Sequence, residues 1–415
     1  MKRILRLFFC LMLFLMACSS VGARTIKLCK GKSLQKQMIY PNATYEVRNN
    51  FDLKGSMIKL PKGSTLDFKK GCFKGGEIVG DSCRIVSDKK IIFRSMTVSG
   101  SWKNDTVYSD WLDFSQDSLF DNRNNFRNLT TLCNGKNHTD VFVSSGTFWA
   151  STKDYDCAIS IPSNTTWNCN ATIKAIPNDY DRAPFIIVFK VRNVIINGGI
   201  YVGDLRGHIG DNGEWSHGIE CRASSNVTIK NVVCKEFWGD GIDVIDGYDD
   251  NMKPTLNCYD VTIENVICNY NRRSGISIEA VTDCSVLNST CQHNGSIRGT
   301  GPKAGICIEA WSSVNEKIKN IQIVGCNLLE NVEWGLFSYA NGPFRKDFVK
   351  YDNNILIKNC KIGCFFVSYT NGISLDNCDI RDSKGYEHEY VKDLRYTDSK
   401  LKGKRLHEIV SNLPK

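Results

Sequence analysis

The chain has 415 residues, with 33 Gly, nine Pro and a formal charge of +9. That length allows one large domain or two ordinary ones, and the composition excludes a collagen-like or linker protein. No basic block is long enough to suggest nucleic acid; the spread Lys and Arg read as a solvated face, or as an attraction for a polyanion such as an acidic polysaccharide.

Residues 1–23 read as an export signal. "MKRILRLFFCLMLFLMAC" has a basic start and a short apolar core, too short and wrongly flanked for a spanning helix. Two cleavage points compete. "LMAC" resembles a lipobox that would lipidate Cys18, and "VGA" (Val21–Ala23) resembles an ordinary small-residue site. Either implies an exported protein: periplasmic, secreted, or an outer-membrane lipoprotein whose only membrane contact is the anchor. No later apolar run is long enough to span a bilayer.

Residues 24–112 are Gly-punctuated β sequence, as in "GSTLDFKKGCFKGGEIVGDSCRIV", expected to form a small β extension or an opening coil. "DSLFDNRNNFRNLTTLC" (Asp117–Cys133) predicts a short amphipathic helix, and "DVFVSSGTFWAS" and "NTTWNCNATIKA" predict strands. From residue 193 a phrase recurs: "NVIING", "NVTIKN", "DVTIEN", "NIQIVG", "NILIKN", "GISLDN". Each is a strand closed by a turn residue. Asn231, Asn265, Asn288, Gly325, Asn359 and Asn377 stand at that corner, where a left-handed backbone is tolerated. Stacked Asn side chains can also bond to one another as a ladder.

A second phrase interleaves: "HGIEC", "DGIDV", "SGISI", "AGICI", "WGLFS". Short strands, Asn or Gly corners and irregular insertions without helical patterns predict an all-β fold, a parallel β-helix over residues 113–385. The helix would cap its open end. Residues 386–415 are basic, lack the phrase and are expected to lie outside the repeats. Among the 19 Cys, Cys234, Cys268 and Cys291 share one register, and Cys326, Cys360 and Cys378 another. This predicts small side chains stacked in the core, although some bridges remain open. No Cys spacing suits zinc, and no metal is expected.

Strand alternation places three columns on the outer face. They are His217, Asp240, Ser274, Ala304, Trp334; Glu220, Asp243, Ser277, Cys307, Phe337; and Arg222, Ile245, Glu279, Glu309, Tyr339. Adjacent coils lie roughly 4.8 Å apart, so stacked carboxylates raise one another's pKa. Carboxylates with separated pKa values suit glycosidic cleavage, one protonating the leaving oxygen and one activating water or attacking. Asp240, Asp243, Glu220 and His217 are the catalytic candidates, expected to face one groove. Arg272, Arg273, Glu279, Lys303, Glu309, Trp238 and Trp311 are candidates for holding the sugar.

The order helix, "VFVSSGTF", "NATI", "NVIINGGIYVGD", then repeated "NVTIxN" and "xGIxI", resembles the pectin-lyase-like superfamily of right-handed parallel β-helices. The closest phrasing is that of polygalacturonases, glycoside hydrolase family 28. Those enzymes carry Asn-Thr-Asp-Gly-Ile, Gly-Asp-Asp-Cys-Ile and Gly-His-Gly-Ile on successive coils, where this chain has "WSHGI", "WGDGI" and "RSGI". Asp240 matches the second Asp of the pair. His217, Gly239 and Ser274 replace the other members, and the Arg-Ile-Lys motif is absent from "AGICIEA". The resemblance therefore implies an exported monomeric polysaccharide-cleaving enzyme with a rearranged catalytic set and no cofactor. Two alternatives stay open. One is a polysaccharide lyase with Arg272, Arg273 or Lys303 as base, and calcium held by "DGYDDN" (Asp246–Asn251). The other is a glycan-binding adhesin without catalysis.

Overall fold

A computed structural model describes residues 24–248, 254–310, 318–340, 352–368, 370–382, 392–401 and 404–405. Cys18, Trp311 and the acidic turn beyond Tyr248 lie outside them. The chain divides into two compact units, one running to Asn104 with Trp111–Asp113, the other built from Asp105–Asp110 and the chain from Phe114 onward.

The first unit is itself a parallel stack. Thr25–Lys27, Thr44–Val47 and Thr65–Phe68 pair in register, and Phe73–Val86 pairs with Phe93–Trp102. Alternate residues point inward, so Tyr45, Leu66, Phe68, Phe73, Ile78 and Phe93 are buried. Phe68 packs edge-on against Phe73 and Phe93 at 5.3 and 5.5 Å.

The second unit is a parallel β-helix with three strands per coil, its crossovers of the right-handed sense usual for parallel strands. The first recurring phrase forms one sheet: Val194, Val227, Val261, Cys284, Ile321, Ile355 and Ile373 stand in register on successive coils. The second forms another, from Ile186 through Ile219, Ile242, Ile276 and Ile306 to Leu336. The corners follow the chemistry of their residues. Asn231, Asn265, Asn288, Asn359 and Asn377 have φ of 58°, 52°, 48°, 55° and 51°, and Gly325 has 69°. Their amides form ladders: Asn231 donates to Asn197 at 2.9 Å and Asn377 to Asn359 at 2.8 Å. Replacing Asn265 with Val should lower the melting temperature, because a β-branched residue resists this backbone. An unchanged melting curve would refute that account of the corner.

Cys234, Cys268 and Cys291 stand on consecutive rungs inside the core, fully buried. Cys234, Cys268 and Cys291 are free, as are Cys326, Cys360 and Cys378. In this register the thiols act as small apolar fillers.

Two elements differ from expectation. The helix spans Arg123–Thr131, starting later than Asp117. The Asn122 side chain accepts from Ser115 N–H and donates to Ser115 C=O, so the preceding residues are tied into a turn that leaves Leu119 exposed. Phe126 and Leu129 are buried, with Phe126 6.3 Å from the inward Trp167 of the strand Thr165–Ala175. The C-terminal segment also departs. Lys392–Thr397 pairs in parallel with Asn371–Asp376, and Lys400–Leu401 with Asp379–Ile380, so coiling continues past 385. Leu394 and Tyr396 keep the alternation that the basic composition disguises.

Candidate active site

The site lies on the outer side of the strands Ile219–Arg222, Ile242–Ile245, Ile276–Ile278 and Ala304–Ala310. Their register puts Glu220, Asp243, Ser277, Cys307 and Phe337 in one row, as the alternation requires. The row is not a surface. Asp240 and Asp243 are 0 % exposed, Glu220 1 % and His217 2 %. The residues expected on an open face are therefore roofed over by inserted loops.

Their contacts are specific. The Asp240 N–H donates to His217 Nδ1 at 3.0 Å, and Asp240 Oδ1 accepts from Ser274 N–H at 2.6 Å. His217 Nε2 lies 3.5 Å from Asp243 Oδ2. Arg222 Nε donates to Glu220 Oε1 at 2.8 Å, while Arg182 stands 3.6 Å from Glu220 Oε2. Neither Asp243 oxygen accepts a hydrogen bond.

His217, Glu220 and Asp243 bring one nitrogen and two carboxylates within 4.8 Å of one another, a set that could hold a metal ion. The other ring nitrogen, His217 Nδ1, lies 3.0 Å from the Asp240 N–H and 3.3 Å from Asp240 Oδ2.

Above this layer is a groove of about 470 Å³. Glu279, Glu309, Arg273 and His217 form part of its floor, with Asp246 and Arg222 alongside. Arg182, Glu214, Trp215 and Tyr155 come from loops, and Phe337 and Tyr339 close one end. Trp215 is 45 % exposed, leaving an aromatic face available to a sugar ring.

Burial and crowding split the carboxylates into two classes. Burial, reinforced by Glu279, Asp240 and Glu220, pushes Asp243 well above the ordinary carboxylate range. Burial likewise raises Glu279 to about 8, against the pull of Arg273 and with help from Glu309. Glu309 is raised mainly by burial. Burial opposes the charge of Asp240 too, but Arg273, His217 and the Ser274 N–H outweigh it and hold the group low. Glu220 is held low against burial by Arg222, His217 and Arg182.

Several candidates for holding the sugar are placed elsewhere. Trp238 is fully buried, stacked on His208 at 3.8 Å, with Arg272 and Arg298 over its ring at 3.6 and 4.3 Å. It is a clamp for the loops, not a platform for a sugar. Arg272 also binds the carbonyls of Gly213, Asp211 and Arg298 and does not line the groove. Lys303 pairs with Glu333 at 2.9 Å. Arg273, Glu279 and Glu309 do line the groove. Sequence reasoning passed over Arg182, Glu214, Trp215 and Tyr155 because they stand in irregular loops outside the repeats. The one available signal was the aromatic of "EWSHG", next to a ladder position.

No protein-family model matches the chain. A stretch of 167 residues is 29 % identical to YclG, an uncharacterized protein of Bacillus subtilis; the match takes in 37 % of this chain and 29 % of that relative's length. Among solved structures, the catalytic domain of a GH87 α-1,3-glucanase is similar at 12 % identity and a TM-score of 0.44, over 92 % of this chain and 70 % of that one. The A-module of the Azotobacter vinelandii mannuronan C-5 epimerase AlgE4 is similar at 13 % identity and a TM-score of 0.35, over 93 % and 90 %. Pectate lyase Pel9A is similar at 13 % identity and 0.34, over 63 % and 70 %.

Proposed function

We propose that the protein is an exported glycoside hydrolase whose acid and base are Glu279 and Glu309. The observation that carries this reading is their position. Both line the groove, and both follow paired strand residues on neighbouring coils, Ile278 and Ile308. Glu279, raised to about 8, holds a proton at neutral pH and can donate it to a leaving oxygen. Glu309 is the neighbouring carboxylate for nucleophilic attack or activation of water. Asp240 and Asp243, first in line from sequence, act from underneath. Asp240 positions His217 and Arg273, and burial, with Glu309 and Asp240 nearby, keeps Glu279 protonated.

Elimination is less well supported. A lyase needs an unengaged base and neutralisation of a uronate. Arg273 faces Asp240, Glu214, Glu279 and Glu309, Lys303 is paired, and Arg272 is stacked outside the groove.

A panel of polysaccharides, read by new reducing ends and by ultraviolet absorbance, tests the class. Reducing ends without an unsaturated product are expected. An unsaturated product would establish a lyase, and no cleavage across the panel would favour binding alone.

A further inference from the structure

Buried oxygens without partners gather beneath the groove. On three consecutive coils, Glu220 Oε2, Asp240 Oδ2, both Asp243 oxygens, Ser274 Oγ and Ser277 Oγ have no hydrogen-bond partner among the described residues. Every one belongs to a side chain no more than 1 % exposed. A buried polar atom left unpaired costs stability, and several on one patch point to a ligand that pairs them. A proton on Asp243 removes a charge but pairs at most one of these oxygens. His217 Nε2, 3.5 Å from Asp243 Oδ2, is at the limit of a hydrogen bond.

The groups facing this patch suit a cation. His217 offers a ring nitrogen, and Glu220 and Asp243 offer one oxygen each, all within 4.8 Å of one another. Glu220 and Asp243 are partners in register on consecutive coils, so one ion would tie the two coils together. Glu220 is already oriented. Arg222 Nε donates to Oε1 at 2.8 Å, while Oε2 accepts no hydrogen bond and has Arg182 only at 3.6 Å. His217 is backed by a carboxylate, with Asp240 Oδ2 3.3 Å from Nδ1. A carboxylate behind the ring is the outer contact that holds the proton on Nδ1 and leaves Nε2 bare for a metal. The Asp240 N–H, 3.0 Å from the same Nδ1, is the partner when the proton sits on Nε2. An ion would select the first arrangement over the second.

We propose that His217 Nε2, Glu220 and Asp243 bind a divalent first-row transition ion of the zinc class beneath the groove floor. The nitrogen separates this set from the all-oxygen sites of calcium and magnesium, and no thiol belongs to it. Such ions hold nitrogen and carboxylate oxygen at about 2.0–2.2 Å, so the three side chains draw together on binding. The ion displaces the proton that Asp243 keeps in the ion-free protein. The site stands apart from the hydrolase reading, since neither Glu279 nor Glu309 takes part in it.

The test uses the intact protein, stripped with a chelator and titrated with Co²⁺ as a spectroscopic stand-in. One Co²⁺ per chain should bind, giving visible d–d bands without the near-ultraviolet charge-transfer band of a thiolate ligand. Zn²⁺ should displace it and raise the melting temperature in step with its concentration, and Ca²⁺ should do neither. Asp243→Asn keeps the size of a protonated Asp, so its melting temperature in chelator should stay near that of the wild type. Its Co²⁺ affinity should fall by at least about 100-fold, since losing even an outer contact costs about 10- to 100-fold. Absence of Co²⁺ binding at millimolar concentration, a thiolate band, Ca²⁺ binding as tight as Zn²⁺, or an affinity unchanged in Asp243→Asn would each overturn the proposal. If that variant does not fold, the wild-type spectrum and the Zn²⁺ and Ca²⁺ titrations decide alone.

Discussion

Glu279→Gln should lose about 10²- to 10⁴-fold in turnover on the natural glycan, the usual contribution of a general acid. Gln keeps the size of Glu and cannot supply the proton. It also removes one member of a crowded acidic cluster, so the melting temperature should hold or rise. The pH profile carries a second readout. A group held at about 8 stays protonated through neutrality, so activity in the wild type should fall as pH rises through about 8. Glu309 must be ionised, which sets the acid limb. In Glu279→Gln the alkaline limb should vanish, because the residue that titrates there is gone. Retention of full activity would remove Glu279 from the mechanism. A loss with the alkaline limb intact would assign that limb to another group.

Asp240→Asn should cost about 3–5 kcal/mol of stability, the range for removing one partner of a buried ion pair. The carboxylate is 0 % exposed, accepts the Ser274 N–H at 2.6 Å and faces the nearly buried Arg273. Urea denaturation checks this directly. The sign of the pH dependence follows from the directions of the shifts. Asp240 and Glu220 are held below their unfolded values, so their contribution is present above the ordinary carboxylate range and is lost as pH falls. Asp243 and Glu279 are raised, so they remove stability as pH climbs from that range toward about 8. Asp240→Asn should therefore flatten the acid side of the stability profile and, by removing a charge that raises Asp243 and Glu279, lessen the loss on the alkaline side. A near-native denaturation midpoint, with activity lost, would return Asp240 to the chemistry as a catalytic carboxylate.

The comparison of these two residues shows where reading from sequence succeeds. Asp240 drew attention because a polygalacturonase-like phrase surrounds it, and Asp243 because it stands outward on the next strand. The register was right, since Glu220, Asp243 and Ser277 share a row. Exposure was wrong, because a row of strand residues carries no information about what loop crosses above it. Glu279 and Glu309 were placed in the outer column as contacts for a sugar. Their protonation depends first on burial, then on Arg273 and on carboxylates from other coils, and each coil arrives by its own insertion.

What the sequence by itself determined is the part governed by local rules. Alternation of period two sets which side chains face the core. An Asn or Gly tolerates the left-handed corner, and the recurrence of both dictates a stack of coils. Those rules hold for a few residues at a time, so they are legible without a structure, from the Asn corners to the buried thiols of Cys234, Cys268 and Cys291. Only the tertiary structure decided the site. Trp215 lies open while Trp238 lies sealed under His208, Arg272 and Arg298. Similar composition surrounds both in the chain, and the difference arises because His208, Arg272 and Arg298, distant in sequence from Trp238, fold over one ring and not the other. Burial and electrostatics are sums over such distant neighbours, and it is those sums that place a proton on Glu279 and a charge on Asp240.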